Sequence, residues 1–289
     1  MTALQIDLEA ARPIITMAIA EDLAYGPDIT TLATVAATHR CTARVISREA
    51  GIVAGTPLID FTLRLVAEAV NHDDSFSVDV LIADGEPVRP GDCVAVIESN
   101  TSLLLTAERT LLNLVCHLSG VASETARWVA AVDGTGAKIR DSRKTMPGLR
   151  ALQKYAVRAG GGVNHRMGLG DQAMVKDNHV VAAGSVLNAL RLVREQYPEI
   201  PCEVEVDTLK QLDEVLLAAP EEILIDNFET WETQVAVQRR NALSPQTKLE
   251  ASGGLTLDRA REVAACGVEY LAVGSLTHSV RALDLGLDF

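Results

Sequence analysis

Six runs of strand length follow one another in the second half of the chain: AKIRDSR from Ala137, QAMVKD from Gln172, CEVEVD from Cys202, EILIDN from Glu222, KLEASGG from Lys248 and YLAVGS from Tyr270. Helical segments lie between most of them, such as SVLNALRLVREQ from Ser185 and TLKQLDEVLLA from Thr208. No other feature restricts the fold as much. Regular β–α alternation demands a parallel sheet with right-handed crossovers, closed as a barrel or open and doubly wound. No GxGxxG follows a strand, which counts against the dinucleotide-binding version. The class is α/β.

The upstream region is patterned differently. Leu8 to Leu23 predicts an amphipathic helix with Pro13 near its start. Four β-like runs follow, CTARVIS from Cys41, GIVAG from Gly51, SFSVDVLIA from Ser75 and DCVAVIE from Asp92, with a helix expected from Pro57 to Val70. DGEPVRPGD from Asp84 carries the Gly and Pro of a hairpin-like connection. This region predicts a compact α+β unit. From Thr106 to Val132 the apolar periodicity predicts one long helix, or two kinked near Gly120. With 289 residues, 48% of them hydrophobic, the chain can bury one large core or two unequal ones.

Charge narrows the function. Lys138 to Lys176 holds nine Lys and Arg against Asp141 and Asp171, a balance of +7, in a chain of net −13. Everything outside the segment therefore sums to −20. An acidic protein with its cations in one glycine-punctuated segment predicts a pocket for a small, highly charged anion. A nucleic-acid surface is disfavoured, because the surrounding acid repels a long polyanion and aromatics make up only 3% of the residues. The cysteines (Cys41, Cys93, Cys116, Cys202, Cys266) are scattered without a CxxC pair, which predicts free thiols in a reducing compartment. Asp7, Glu9 and Arg12 exclude a signal-peptide core from the first twenty residues, and no apolar run approaches membrane-helix length. The expectation is a soluble cytoplasmic protein without membrane or nucleic-acid partners.

Each of the six strands carries polar residues or glycine at its C-terminal end: Arg143 and Lys144, Lys176, Glu205 and Asp207, Asp226, Ser252 with Gly253, and Gly274 with Ser275. In β/α barrels the site forms at that end, where the βα loops converge. Alternation in CEVEVD puts Glu203, Glu205 and Asp207 on one face, which must meet cations or a metal. One reading is a structural network with interior lysines such as Lys176. The other makes Glu205, nearer the open end, functional. With Asp226 it forms a carboxylate pair suited to Mg²⁺, which takes one or two acids plus phosphate oxygens. The glycine junctions at Ser252–Gly254 and Gly274–Ser275 predict a phosphate site, aided by the following helix N-termini. His165 and Arg166 follow a triple glycine and form, with Arg143 and Lys144, a set able to clamp carboxylates.

Other charges are read more blandly. Arg150, Lys154 and Arg158, spaced by four, predict a solvated helix face. His39 and His72 read as loop residues and His117 as a satisfied core histidine. His179 is placed to orient Lys176, and His278 to reach a phosphate. Arg109 alone reads as a surface charge.

RKTMPGLRALQKYAVRAGGGVNHRMGLGDQAMVKDNH resembles the quinolinate phosphoribosyltransferase family almost position for position. EDLAYGPDITT, AERTLLNLVCHLSG, CEVEVD, ILIDNF, EASGGL and LAVGSLTHS extend the resemblance over nearly the whole chain. It implies an N-terminal α/β sandwich (1–113 and 277–289) and an incomplete, roughly six-stranded β/α barrel (114–276), with the C-terminal tail returning to the first domain. It also implies transfer of phosphoribosyl from phosphoribosyl pyrophosphate to quinolinate with decarboxylation, giving nicotinate mononucleotide in NAD biosynthesis. The implied catalytic residues are Lys144, Lys176, Glu205 and Asp226. Arg109, Arg143, Lys144, His165, Arg166 and Lys176 would hold quinolinate. Glu205 and Asp226 would serve Mg²⁺ and the ribose, and Ser252, Gly253, Gly254, Gly274, Ser275 and His278 the phosphates. The family works as a dimer or hexamer, which gives Arg109 a role across the interface.

Elementary chemistry agrees with the implied reaction. Both substrates are polyanions, and displacement at the anomeric carbon needs positioning and charge stabilisation, not a side-chain nucleophile. Two alternatives remain at this level. One is a Schiff-base enzyme using Lys144 or Lys176. The other is a non-catalytic oxyanion- or metabolite-binding paralogue on the same scaffold.

Overall fold

In the computed structural model, which describes residues 4–72 and 75–289, the first part of the chain forms α1 (Leu8–Asp22), α2 (Ile29–Thr34), β1 (Arg40–Ser47), β2 (Gly51–Ile52), α3 (Pro57–Val70), β3 (Ser77–Val80), β4 (Pro87–Val88), β5 (Cys93–Asn100) and α4 (Thr101–Ala131). Next come β6 (Lys138–Arg140), α5 (Arg150–Ala159), β7 (Ala173–Val175), α6 (Asp177–Ala183), α7 (Val186–Gln196), β8 (Cys202–Val206) and α8 (Leu209–Leu216). The chain continues through β9 (Glu222–Asp226), α9 (Thr230–Leu243), β10 (Lys248–Ser252), α10 (Leu257–Ala264), β11 (Tyr270–Ala272), α11 (Ser275–His278) and β12 (Leu285–Asp288). No helix among the described residues is long and apolar enough to cross a membrane.

The chain divides into two compact units, one of Met1–Ala126, Thr145–Gly161 and Leu276–Phe289, the other of Arg127–Lys144 and Gly162–Ser275. In the second unit the six expected strands form one parallel sheet in the order β6-β11-β10-β9-β8-β7. β6 and β7 succeed each other in sequence yet occupy opposite edges, so the arc is an incomplete barrel. Strand interiors such as Ile223, Leu224 and Ile225 are buried on both faces, as a parallel sheet under helices requires. Side-chain caps start the helices: Thr208 accepts from Gln211 N (3.2 Å) at α8, straight after β8, and Ser185 from Asn188 N (3.1 Å) at α7.

The first unit holds an antiparallel sheet in the order β12-β1-β5-β3. β12 comes from the C-terminal tail, which returns as expected. Pro87–Val88, within the hairpin-like segment, pair with Gly51–Ile52 in a separate antiparallel ribbon. The helix expected from Pro57 to Val70 is α3, closed by Asn71 in the left-handed conformation (φ 51°).

The unit boundaries differ from the expected 113/114 break in two ways. Residues 114–126 of α4 belong with the first unit, and so does the segment 145–161 that carries α5. The reason is packing. A Cβ on Gly148 would stand 2.7 Å from Ile14 Cδ1 of α1. Tyr155 of α5 donates its hydroxyl to Asp84 Oδ2 (2.5 Å), and that carboxylate also accepts from Gly55 N (2.7 Å), Thr56 N (2.9 Å) and Thr56 Oγ1 (2.7 Å). Burial first, then the Asp84 contact, raises the Tyr155 pKa, so the phenol stays a donor.

Gly120 does not kink α4, which runs unbroken from Thr101 to Ala131. It is glycine because the returning tail crosses there: a Cβ would lie 2.2 Å from the Arg281 carbonyl oxygen and 2.9 Å from Ala282 Cα. Gly120→Ala is expected to cost about 1–3 kcal/mol, the usual penalty of overpacking. Thermal denaturation checks this; an unchanged Tm would mean the tail yields freely.

The solvated face expected from Arg150, Lys154 and Arg158 is corrected. Lys154 is only 1% exposed and Arg150 is half-buried, while Arg158 alone is exposed. Spacing by four placed the three residues on one stripe, but α5 is buried along most of its length. His117 is satisfied as expected: the Gln153 amide donates to its Nε2 (2.9 Å), and burial lowers its pKa, so the ring is neutral. The five cysteines are free thiols.

Candidate active site

The acidic face of β8 joins a buried polar network: Lys176 pairs with Glu205 as one reading expected, His165 meets Glu203, and Arg140 serves the acids of the neighbouring strands. Arg140 of β6 is 8% exposed and donates Nη1 to Glu222 Oε2 (3.0 Å) and Glu250 Oε2 (2.6 Å), while its guanidinium lies 3.6 Å from the Tyr270 ring centroid. Gln172 Nε2 also donates to Glu222 Oε2 (3.1 Å). Burial works to raise the Glu222 pKa, but the Arg140 hydrogen bond and charge outweigh it and the pKa falls. Glu250 goes the other way: burial, then the charge of Glu203, raises its pKa well above the usual carboxylate range. Two neighbouring acids are thus driven apart, Arg140 favouring charge on Glu222 while burial and Glu203 oppose it on Glu250.

Glu203, at 0% exposure, meets His165 Nε2 through Oε2 (2.6 Å), while its Oε1 is buried without a hydrogen-bond partner. The Arg166 backbone N–H donates to His165 Nδ1 (2.7 Å). A backbone amide can only donate, so Nδ1 is the acceptor and the ring proton sits on Nε2, facing Glu203. His165, Glu203 and Glu250 present ligand atoms within 4.8 Å of one another, a metal-like spacing. A protonated Nε2 cannot ligate, so the trio is a hydrogen-bonded floor and not a metal centre. His165, expected among the substrate-binding residues, has both ring nitrogens occupied within the protein. Asp141, fully buried, accepts from His165 N (2.9 Å) and Asn164 Nδ2 (2.5 Å), which fixes the loop after the triple glycine.

This floor supports a ring of strand ends. Arg143 and Arg166 are close enough that Arg143 lowers the Arg166 pKa, second only to burial as a cause. Both Nε atoms are buried without a hydrogen-bond partner, and Arg166 is anchored through Nη1 to Gln172 O (3.0 Å). Two like charges held together with unsatisfied donors form an anion-binding arrangement. Lys144 is exposed beside them, its N–H bonded to Ser142 Oγ (3.0 Å). Lys176 forms an ion pair with Glu205. His179 Nδ1 accepts the Lys176 backbone N–H (2.9 Å), so it orders the start of α6 and not the ammonium.

Asp226 is the direct Cα partner of Ser252 across β9 and β10. The next residue, Asn227, has φ +56° and donates Nδ2 to Asp226 Oδ2 (2.6 Å) and N to Ser252 O (2.9 Å). Gly253 (φ +83°) and Gly254 (φ +56°) follow Ser252, and the β10–β11 register sets Gly274 and Ser275 beside them. Backbone N–H groups at such turns form a phosphate cradle. α11 after Gly274 has only four residues, so the dipole expected there contributes little, and α10 is the longer helix with eight.

Glu205 and Asp226 make an oxygen-only donor pair on adjacent strands, with Glu205 opposite Leu224 and Asp226 two residues further along the same face. That set fits Mg²⁺, which completes its shell with substrate oxygens and water, although Glu205 already shares its charge with Lys176. Arg109 and His278 belong to the first unit. Both are exposed, and His278 Nδ1 meets Ser279 Oγ at 2.6 Å.

Sequence reasoning missed Arg140, Glu222, Glu250 and Asn227. The first three were detectable, because alternation in KIR, EILID and KLEAS puts Arg140, Glu222 and Glu250 on the faces that also carry the site residues. Asn227 gave no signal beyond following Asp226.

The sequence matches the quinolinate phosphoribosyl transferase C-terminal domain over residues 121–288 and the N-terminal domain over residues 28–119. It is 57% identical over 282 residues to a carboxylating nicotinate-nucleotide pyrophosphorylase of Mycobacterium leprae, covering 98% of each chain. A probable enzyme of the same name from Bacillus subtilis is 38% identical, over 93% of this chain and 89% of that one. The crystal structure of NadC from Streptococcus pyogenes superposes with a TM-score of 0.91 at 32% identity, over 99% of this chain and 98% of that one. The nicotinate-nucleotide pyrophosphorylase of Francisella tularensis gives 0.89 at 32% identity, over 98% and 97%. Matching domains across both halves, over a scaffold whose strand ends gather cations, acids and glycine turns, make this chain a member of the quinolinate phosphoribosyltransferase family.

Proposed function

We propose that the protein transfers the phosphoribosyl group of phosphoribosyl pyrophosphate to quinolinate and releases pyrophosphate and CO₂, a step of NAD biosynthesis. The observation that carries this reading is the Arg143–Arg166 pair, two adjacent guanidiniums with buried, unsatisfied Nε donors. A planar dicarboxylate supplies the acceptors such a pair lacks.

The substrate nitrogen attacks the anomeric carbon while the bond to pyrophosphate breaks, through an oxocarbenium-like state. The pyridinium so formed draws electrons from C2; CO₂ leaves, and the resulting ylide takes a proton. The protein's part is positioning and charge stabilisation. Arg143 and Arg166 grip carboxylate, and Lys144 and Lys176 add point charges. His165 contributes by holding the Arg166 backbone, with Glu203 fixing its tautomer. The Ser252–Gly254 and Gly274–Ser275 turns take phosphates. Asp226 and Glu205 would hold Mg²⁺ and the ribose, and the ion would supply charge neutralisation for the departing pyrophosphate. Exposed Arg109 fits a homo-oligomer in which one copy completes its neighbour's site. A cytoplasmic location agrees with the free thiols.

Pyrophosphate and CO₂ release from quinolinate, phosphoribosyl pyrophosphate and Mg²⁺ tests the reading, with nicotinate as the control. Release with quinolinate alone supports it; silence from folded protein moves the assignment to a binding paralogue. Lys144→Ala is expected to lower kcat by roughly 10²- to 10³-fold, the scale of losing one transition-state contact. Exposed Lys144 should leave Tm nearly unchanged, and near-wild-type turnover would remove it from the site.

A further inference from the structure

Asp226 stands one residue from a backbone feature that the chemistry above does not use. Among the described residues only three other than glycine adopt positive φ: Asn71, Ala219 and Asn227. Asn71 caps α3 and Ala219 lies in the turn before β9. Asn227 sits at the C-terminal end of a central strand, among the strand ends that form the candidate site.

Its contacts run in two directions. The side-chain amide donates to Asp226 Oδ2 (2.6 Å), and the backbone N–H donates to Ser252 O (2.9 Å), the residue that opens the phosphate turn. Gly253 is shaped around it: a Cβ there would lie 2.3 Å from Asn227 Oδ1, 2.6 Å from Cγ and 2.8 Å from N. Asparagine tolerates left-handed backbone better than most residues, and glycine tolerates it best. If only the turn mattered, glycine would serve at 227. The amide adds a hydrogen bond aimed at the Asp226 carboxylate.

We propose that Asn227 is a positioning residue that locks the Asp226 carboxylate to the Ser252–Gly254 turn, so that the ribose-facing acid and the phosphate cradle move as one piece. The inference rests on the assignment of those groups to phosphoribosyl pyrophosphate. A carboxylate with one oxygen committed to Asn227 presents the other in a fixed direction, which matters for binding a flexible sugar phosphate.

Three variants separate the side chain from the backbone. Asn227→Gly keeps the left-handed turn and removes the amide. Asn227→Asp keeps the shape but replaces the donor with a second carboxylate. Asn227→Ala removes the amide and strains the turn. The expected result is a roughly 10- to 100-fold loss of kcat/KM for phosphoribosyl pyrophosphate in Asn227→Gly and a greater one in Asn227→Asp, with Tm and the quinolinate KM unchanged, a size in line with losing an outer-shell partner. Wild-type kinetics in Asn227→Gly and Asn227→Asp, with Asn227→Ala impaired in step with its Tm, would reduce the residue to a turn former and overturn the proposal. Wild-type protein that neither turns over nor binds phosphoribosyl pyrophosphate in calorimetry would instead remove the functional reading, and this inference with it.

Discussion

Arg140→Leu is expected to destabilise the protein by about 3–5 kcal/mol, the scale of breaking a buried ion pair from one side. The guanidinium is the cation shared by Glu222 and Glu250, and all three side chains are nearly inaccessible. Leucine would leave Glu222 without its main partner and strip Glu250 of the Arg140 donor, with Glu203 a few ångströms away. Glu250→Gln should behave differently. Burial and the Glu203 charge both raise its pKa, so a neutral amide preserves the acceptor for Arg140 and removes that repulsion. Its cost is expected to stay below about 1 kcal/mol, the scale of one neutral hydrogen bond. Urea denaturation of both variants checks the pair. Equal losses would mean that shape and not charge governs the floor.

Arg166→Ala is expected to lower kcat/KM for quinolinate by roughly 10²- to 10³-fold, since a charge-assisted carboxylate contact is worth about 2–5 kcal/mol when desolvated. Stability should hardly fall, and a small gain is the direction expected on electrostatic grounds. Its charge is opposed by burial and by Arg143, and its Nε has no acceptor. Alanine does lose the bond from Nη1 to Gln172 O (3.0 Å), which offsets part of that gain. Arg166→Lys should remain strongly impaired, because a single ammonium cannot reproduce the planar fork. Steady-state kinetics with quinolinate as the varied substrate decides the matter. A loss under tenfold in Arg166→Ala would remove this side chain from the substrate site. A residue costly to the resting fold and necessary to the reaction marks a functional position.

The sheet of the second unit was legible because its strands are short, buried and separated by amphipathic helices, a pattern few other folds produce. The strand-end chemistry was legible for the same reason: once the strands are parallel, their C-terminal ends must converge. What stayed hidden depended on which partner each charge finds. CEVEVD announced an acidic interior face, and Lys176 does pair with its Glu205, but Glu203 meets His165 instead, and the buried cation Arg140 serves Glu222 and Glu250 on the neighbouring strands. Lys154 shows the opposite error: helical spacing reported its stripe correctly but carried no information on what covers it. His165 was expected to touch substrate, as its motif implies, and the partner of its Nε2 was hidden because Glu203 lies 38 residues away. The division into units was misjudged because segment 145–161 leaves the run of β–α repeats to pack with α1, a tertiary choice that no local periodicity records.

The antiparallel sheet of the first unit has a consequence for synthesis. β1 is flanked by β5, which is made soon after it, and by β12, whose Asp288 pairs with Arg48 from 240 residues further along. While a ribosome is still producing the second unit, one side of β1 therefore displays bare amides and carbonyls, an open invitation to strand-to-strand aggregation. Loss of Leu285–Phe289 would remove all of β12, making that transient exposure permanent.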